Sequence, residues 1–183
     1  MSHLYTGTGD DGTTGMLFGG RVSKGAELMD ALGDIDEAVS ALGVARSGCR
    51  DAERATLLMR LQRELFVVAA DLAANPEHRD RLKPGLSLVV PEMSAELERL
   101  IDSLTAEHPL RPVFVVPGTT PEEAAIDLAR TVVRRAERHT VQAKTAGHVV
   151  SDEALRCLNR LSDLLFVLAR HAAEGVEEPA SHD

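Results

Sequence analysis

The N-terminal stretch of the chain carries residue types that suit a polyphosphate. Residues 5–15 read YTGTGDDGTTG, with four glycines and four threonines, and Arg21 and Lys24 follow. Glycines let several backbone N–H groups turn toward one point, threonine hydroxyls add donors, and the two basic side chains add positive charge. The same composition is also typical of a loose terminus. Phosphate binding and disorder therefore both remain open for this segment taken alone, and the rest of the chain favours the first.

A run of arginines between Arg130 and Arg138 is the second candidate. At about 100° per residue, Arg130, Arg134 and Glu137 fall on one stripe of a helix, with Arg138 beside it. Such a run is often a solvated face, on which Arg134 and Glu137 would form an ordinary surface pair. The chain as a whole has a net charge of −9, and guanidinium suits forked contacts with phosphate, so we expect an anion to bind here.

The last predicted helix adds Asn159 and Asp163, which lie four residues apart and share a face. Arg156 and Arg160 lie alongside, and we interpret Arg156 as surface. Asn159 stands between leucines just before a dense apolar run. A polar amide in that position needs a specific partner.

Other chemistries find no support in the sequence. Gly7-x-Gly9-x-x-Gly12 matches the dinucleotide fingerprint in letters, but it lacks room for a preceding strand and is followed by a poor helix start. There is no Walker A motif, no Glu-x-x-His pair of the di-iron bundles and no recognisable Ser/His/Asp or Cys/His set. The seven histidines are dispersed, so no metal ligands are expected from the protein.

Five helices are predicted to position these groups. Apolar residues recur every three or four positions over 26–45, 52–74 and 91–107. Thr120 is expected to cap the fourth helix, with Pro121 in its first turn and Glu123 completing a capping box, and this helix reaches about Lys144. Ser151 caps the fifth, which ends near residue 173.

These elements predict an all-α protein. The expected architecture is a single domain, an antiparallel five-helix bundle over 26–173, preceded by a glycine/threonine-rich, nucleotide-binding arm over 1–25 and followed by a loose tail over 174–183. Prolines flank a short extended crossing at 113–118, between the third and fourth helices.

Composition limits the partners. The negative charge argues against nucleic acid and anionic membranes. No apolar run approaches a membrane span, and no signal segment opens the chain. Two cysteines far apart in sequence suit a reducing compartment, so we expect a cytoplasmic protein.

Together these motifs resemble the PduO-type ATP:cob(I)alamin adenosyltransferases, from Tyr5 to about Arg170. The family's opening pattern Tyr-Thr-x-x-Gly-Asp-x-Gly-x-Thr reads YTGTGDDGTT here, its Gly-Thr-Val-Asp-Glu segment reads GDIDE at 33–37, and its Phe-to-Pro-Gly crossing lies at 114–118. The most specific pieces are ARTVVRRAER at 129–138 and LNRLSDL at 158–164.

The resemblance implies a homotrimer of such bundles with active sites between subunits. The reaction would transfer the 5′-deoxyadenosyl group of ATP to the cobalt of cob(I)alamin and release triphosphate, with Mg²⁺ riding on ATP and no metal ligand from the protein. A corrinoid reductase and an adenosylcobalamin-dependent mutase are the implied protein partners. The implied ATP contacts are Thr6, Gly7, Thr8, Gly9, Thr14, Gly15 and Lys24 of one subunit, with Arg134, Glu137, Arg138 and Asn159 of the next.

The resemblance also assigns catalytic roles to Arg130, Arg134, Asp36 and Phe114. Asp36 would pair with Arg130 across the subunit interface. Phe114 would bind cobalamin as a wedge in the space that the lower axial ligand vacates; alternatively, it is a plain hydrophobic anchor. The chain departs from the family's usual residues at Leu32, Val39 and Thr119.

Two other functions fit the same residues. One is a carrier of this fold that binds ATP and hands adenosylcobalamin to a mutase without rapid turnover. The other is a non-catalytic bundle whose arginines only hold subunits together.

Overall fold

A computed structural model describes residues 5, 7–173 and 175–181, so Thr6 lies outside the described residues. This part of the chain confirms the all-α prediction. Its long helices are α1 (Glu27–Ser47), α2 (Ala52–Ala73), α3 (Pro91–Glu107), α4 (Pro121–Thr145) and α5 (Asp152–Ala172), and a 3₁₀ turn covers Pro76–Arg81. Every predicted helix end lies within about two residues of the observed one, as is usual for helix boundaries.

Apolar stripes on the helices build one continuous core. Each stripe repeats every three or four residues and faces its neighbours, and each fully buried leucine or isoleucine contributes about 1.5–3 kcal/mol. The largest buried side chains are Leu28, Ile35 and Leu42 of α1, Leu58, Leu61, Leu65 and Leu72 of α2, Leu97 of α3, Ile126 of α4, and Leu158, Leu161 and Leu164 of α5. None of the helices in the described part of the chain is long and apolar enough to cross a membrane.

Side-chain caps begin the last two helices where they were predicted. The Thr120 hydroxyl accepts from the Glu123 N–H at 3.0 Å, and the Ser151 hydroxyl accepts from the Ala154 N–H at 3.1 Å. The Glu123 carboxylate, however, does not return to Thr120 as a capping box would. Its Oε2 accepts from the N–H groups of Gly118 (2.6 Å) and Thr119 (3.1 Å), and Arg170 of α5 engages Oε1.

Polar contacts show that α1 and α4 run antiparallel. His148, just beyond α4, lies 3.6 Å from Glu27 at the start of α1. At the opposite end, the Arg50 N–H donates to Glu122 in the first turn of α4. The start of α4 also meets the end of α5, since the Thr120 hydroxyl donates to the Ala172 carbonyl at 3.3 Å.

Residues 7–25 of the N-terminal arm contain a hairpin. Its strands β1 (Thr13–Gly15) and β2 (Arg21–Ser23) pair antiparallel. Leu17 at its tip exchanges backbone hydrogen bonds of 2.9 Å with Ala73 and Asn75 at the end of α2. The Asn75 amide also donates to the Gly19 carbonyl at 3.1 Å, so the hairpin is fixed to one end of the bundle.

The tail differs from the loose segment that its polar composition suggests. β4 (Glu178–Pro179) pairs antiparallel with β3 (Val115–Val116) of the crossing. The Ala180 N–H donates to the Phe114 carbonyl at 2.8 Å. The crossing offers unpaired backbone groups, and residues 178–180 satisfy them, which composition alone does not reveal.

The arm and the crossing therefore lie at opposite ends of the helical bundle. The arm meets the end of α2 and leads into the start of α1, close to where α4 ends. The crossing leads into the start of α4. Since α4 has 25 residues, it separates the two ends by ~37 Å at about 1.5 Å per residue.

Candidate active site

The arginine stripe of α4 faces outward, because Ala129, Val132, Val133 and Ala136 of the same helix fill the core. Arg134 and Arg138 are exposed, and the Arg138 guanidinium donates to the Arg134 carbonyl at 3.1 Å. In the described part of the chain, no ion pair engages the Arg134 guanidinium. Arg130 is half-buried, with its Nε 2.6 Å from Oδ1 of Asp127.

Three clefts follow this stripe. The central cleft, of about 600 Å³, lies between α3, α4 and α5 and is lined by Arg130, Arg134, Arg160 and Phe166 among others. The Phe114 cleft, of about 470 Å³, shares Arg130 and Phe166 with it. The Asn159 cleft, of about 480 Å³, shares Arg134 and adds Glu137, Arg138 and Asn159. The shared walls make one continuous surface from the crossing to the middle of α4.

Asn159 has the specific partners that its position predicts. Its amide donates to Oε1 of Glu137 at 3.1 Å, and its carbonyl oxygen accepts from Arg160 at 2.5 Å. Glu137 is therefore bound to α5, and the alternative Arg134–Glu137 surface pair does not form among the described residues. This cross-helix bond fixes the side of the cleft next to the free guanidinium of Arg134.

Arg135 has a different orientation from the other arginines. It binds Oδ1 of Asp34 at 3.0 Å and also pairs with Glu37, both on α1. His139 approaches Asp34 from the next turn, with its Nδ1 2.7 Å from Oδ2. Arg135 therefore clamps α4 to α1, and its neighbours Arg134 and Arg138 remain on the cleft side.

The basic side chains of the arm hold its glycine loop. The Lys24 ammonium donates to the Gly9 carbonyl at 2.8 Å, and Arg21 donates to the Thr13 hydroxyl (2.7 Å) and the Thr8 carbonyl (2.6 Å). Hydrogen bonds from the hydroxyl and N–H of Thr13 lower the pKa of Asp11 below its usual value. Two cations thus lie within the loop that the sequence assigns to phosphate.

Glycine is required in the first part of this loop. Gly7 and Gly12 have φ of 67° and 81°, in the left-handed region that other residues avoid. Gly9 carries no such strain, but a Cβ there would lie 3.1 Å from the Lys24 ammonium. Of the remaining arm residues expected to bind ATP, Thr8, Thr14 and Gly15 belong to the same hairpin, and Thr6 lies outside the described residues.

The structure gathers only part of the predicted site within one chain. Phe114, Arg130, Arg134, Arg138 and Asn159 line the continuous cleft surface. The arm lies toward the other end of the bundle. Asp36 is exposed on α1, and within the described residues its carboxylate has no ion pair, with Arg130 or any other group.

Sequence reasoning missed Phe166, which forms a wall common to two clefts. Its ring lies 5.9 Å from the guanidinium carbon of Arg130 and 5.3 Å from that of Arg170. These are cation–π distances, and the ring is about one-third exposed. The scarcity of aromatic residues, which singles out Phe114, singles out Phe166 equally.

The thiols and metal-binding residue types are not arranged for catalysis. Burial raises the pKa of Cys157 to about 12 and also raises that of Cys49, so neither is an activated nucleophile. Among the residues with described positions, no group of three or more His, Cys, Asp or Glu could hold a metal ion.

Comparison with known proteins connects this arrangement to a family. Residues 4–172 match the family model described as cobalamin adenosyltransferase. The corrinoid adenosyltransferase of Citrobacter freundii is 39% identical over 170 residues, which cover 93% of this chain and 94% of the relative. That of Mycobacterium tuberculosis is 41% identical over 180 residues, covering 94% and 89%.

Solved structures give the same result. A phenylalanine-to-alanine variant of the PduO-type ATP:corrinoid adenosyltransferase from Lactobacillus reuteri, complexed with cobalamin and ATP, superposes with a TM-score of 0.87. It is 28% identical and the match covers 99% of this chain and all of that one. An arginine-to-lysine variant of that enzyme with ATP has a TM-score of 0.84 at 29% identity, covering 97% of this chain and 100% of that chain. This chain therefore belongs to the cobalamin adenosyltransferase family.

Proposed function

We propose that this protein is a corrinoid adenosyltransferase that transfers the 5′-deoxyadenosyl group of ATP to the cobalt of cob(I)alamin. The products are adenosylcobalamin and triphosphate. The observation that carries the proposal is the row of arginines on α4, which leads from the Phe114 cleft to the Asn159 cleft. It occurs in a chain of which 99% matches a variant of an enzyme solved with cobalamin and ATP.

In this reaction the protein needs only to position the two substrates and to stabilise the negative charge of the leaving triphosphate. The electron pair of Co(I) forms the new Co–C5′ bond, the C5′–O bond breaks, and triphosphate leaves with the electron pair of that broken bond. No general base or protein nucleophile is needed, because the reduced metal of the substrate is itself the nucleophile. Donors fixed at the triphosphate stabilise the charge that develops on it, and in-line placement of C5′ lowers the remaining barrier.

We assign the leaving-group role to the α4 stripe and the arm. Arg134 and Arg138 present exposed guanidinium groups, which bind phosphate oxygens in a forked geometry. Glu137 and Asn159 form the adjoining wall through their mutual hydrogen bond. The arm would contribute its glycine loop, with Thr6, Thr8, Thr14 and Lys24, and Mg²⁺ would accompany the triphosphate.

A complete site on this plan needs two subunits. The arm and the Phe114 cleft lie at opposite ends of a helix ~37 Å long, so an ATP molecule whose C5′ lies beside a corrinoid at Phe114 cannot also reach the arm of the same subunit. A neighbour's arm laid across the α4 stripe resolves this separation. We propose a homotrimer on this basis and from the resemblance, with the exposed Asp36 of one subunit pairing with Arg130 of the next.

Phe114 is proposed as the wedge that keeps the lower face of cobalt free of its axial ligand. Its side chain is 91% exposed in the single subunit, although apolar side chains are usually covered. A hydrophobic anchor would be buried in its own subunit. The exposure favours a role toward a ligand or a neighbouring subunit.

The cellular context is proposed from chemistry. Co(I) requires a reductant, so a corrinoid reductase must act before this enzyme, and an adenosylcobalamin-dependent mutase is the expected consumer. Cys49 and Cys157 are both free thiols, which supports a reducing, cytoplasmic location.

One anaerobic assay tests the proposal. Protein, ATP, Mg²⁺ and chemically reduced cobalamin are mixed, and the conversion of cob(I)alamin to adenosylcobalamin is followed by its visible spectrum. Repeated turnover is expected, with triphosphate released in equal amount. A single equivalent of product that stays on the protein would indicate a carrier instead, and no ATP binding would leave a non-catalytic bundle.

A further inference from the structure

We propose that Glu123 and Arg170 are positioning residues for Phe114, and that this buried pair sets the preference of the enzyme for corrinoids with a lower base. The inference rests on the proposed function, because it assigns a task to Phe114 in that reaction. Glu123 lines none of the three clefts, and Arg170, which lines the Phe114 cleft, is assigned its effect through the groups that it holds. Their effect passes through the backbone of the crossing.

The Glu123 carboxylate binds the backbone at the end of the crossing. Its side chain is 1% exposed, and Oε2 accepts from the N–H groups of both Gly118 (2.6 Å) and Thr119 (3.1 Å). Gly118 has a φ of 117°, so the backbone turns sharply there. One carboxylate oxygen therefore fixes the turn four residues after Phe114.

Arg170 of α5 fixes Glu123 and the tail together. Its Nη2 binds Oε1 of Glu123, and its Nε lies 3.2 Å from Oε1 of Glu177. The guanidinium also lies over the Phe166 ring, on the wall of the Phe114 cleft. The side chains of Arg170 and Glu177 are each only 9% exposed, so the interaction is shielded from water.

Hydrogen bonds to the C-terminal tail hold the first part of the crossing. The Arg111 guanidinium donates to the Glu177 carbonyl at 3.2 Å, and the Ala180 N–H donates to the Phe114 carbonyl at 2.8 Å. The Phe114 backbone is thus held by the tail, and the turn that follows it is held by Glu123. Arg170 links the two supports.

This support matters because Phe114 has little packing of its own. A ring that is 91% exposed takes its direction from its backbone. The ring can exclude a lower base only if its position is fixed. A shift of about 1 Å in a positioned group costs up to 100-fold in rate. A corrinoid without the tethered base needs no wedge and should tolerate a loose crossing.

The charges of this cluster allow Glu123 to be replaced without leaving an unpaired buried charge. The cluster contains two carboxylates and one guanidinium, so Glu123→Leu leaves a neutral Arg170–Glu177 pair rather than an unpaired buried charge. Gly118 and Thr119 are exposed, and their released N–H groups can bind water. Glu123→Gln keeps one acceptor oxygen for the N–H groups of Gly118 and Thr119 and turns its NH₂ group toward Arg170, so it is the variant that retains the bonds to the crossing.

The neighbouring Glu122 provides a matched control. It lies in the same first turn and also binds an arginine, with its Oε1 2.6 Å from Nε of Arg54. That arginine belongs to α2. Among the described residues, the Glu122 carboxylate bonds to Cys49, Arg50 and Arg54 and not to the Phe114 crossing, so Glu122→Leu removes a comparable ion pair without releasing Phe114. Glu177→Gln is a second test, which loosens only the tail side of the cluster.

The experiment measures kcat/KM with cobalamin and with cobinamide, which lacks the lower base, for wild type and each variant. We expect Glu123→Leu to lose about tenfold or more with cobalamin and less than about twofold with cobinamide. Glu123→Gln should recover most of the loss, and Glu177→Gln should change the ratio in the same direction. Adding Glu123→Leu to Phe114→Ala should cause little further loss, since a support has no effect on corrinoid use once the ring that it positions is absent.

Hydrogen exchange and thermal melting separate positioning from misfolding. The amides of Val115, Val116, Gly118 and Thr119 should exchange faster in Glu123→Leu and not in Glu122→Leu. If Glu123→Leu does not fold, Glu177→Gln decides the question, and an unchanged corrinoid ratio there refutes the inference. Equal losses on both corrinoids also overturn it. A wild type that makes no product from either corrinoid refutes the proposed function itself.

Discussion

Replacing Arg134 by alanine tests the central claim about the α4 stripe. The Arg134 side chain is exposed and, within the described residues, its guanidinium takes part in no ion pair. Alanine is also the better helix former. Stability should therefore be unchanged or slightly higher, and any loss of activity reports a contact with substrate.

The size of the loss follows from the type of contact. A hydrogen bond between a guanidinium and a phosphate oxygen is worth about 1.5–3 kcal/mol when water is excluded. At about 1.36 kcal/mol per factor of ten, this corresponds to a loss of about 10- to 150-fold in kcat/KM for ATP. Arg134→Lys should fall between wild type and alanine, because it keeps the charge but not the fork.

The assay is the anaerobic conversion of cob(I)alamin at varied ATP, with a thermal melt of every variant. Arg156→Ala is the control: this α5 arginine binds Glu153 at 2.9 Å, and it lines none of the three clefts. It should stay within about twofold of wild type. The reasoning fails if Arg134→Ala has normal kinetics, or if its loss accompanies an equal drop in melting temperature.

Four further predictions concern the arm, the interface and the titratable groups. Asn75→Ala removes the side-chain hydrogen bond to the Gly19 carbonyl of the hairpin. In steady-state assays it should raise KM for ATP several-fold with kcat retained. An unchanged KM would contradict a role for Asn75 in holding the arm against the bundle. Asp36→Asn should weaken subunit association in sedimentation if it pairs across the interface, and a normal trimer would refute that pairing. Native protein should expose at most one thiol to a thiol reagent, at Cys49, and unfolded protein two, because burial raises the pKa of Cys157 to about 12. Burial lowers the pKa of His171 below 6.5, so the unfolded state binds a proton at this imidazole more readily than the folded state does. The free energy of unfolding should therefore fall as the pH drops below about 6.5. In melts at varied pH, His171→Gln should remove this contribution to the decrease.

Local sequence rules were sufficient for the helices and for the direction of their side chains. Thr120 and Ser151 begin helices because their hydroxyls bind N–H groups three residues away, which involves no distant part of the chain. The α4 stripe follows equally from helical periodicity. The need of Asn159 for a partner was also visible, since its position beside apolar residues is a local property.

The function-bearing details depend on residues far apart in sequence. Glu123 was expected to close a capping box, but Arg170 of another helix engages its carboxylate, which bonds to Gly118 and Thr119 instead. The tail was expected to be loose, but its backbone completes the crossing.

The sequence alone determined five helices, their starts and an outward row of guanidinium groups, because periodicity and capping act within a few residues. Only the tertiary structure decided that Phe166 stands between two clefts, that the tail supports Phe114, and that the arm and Phe114 lie at opposite ends of α4. These outcomes depend on which helix ends meet in space, and that is set by the packing of whole apolar faces.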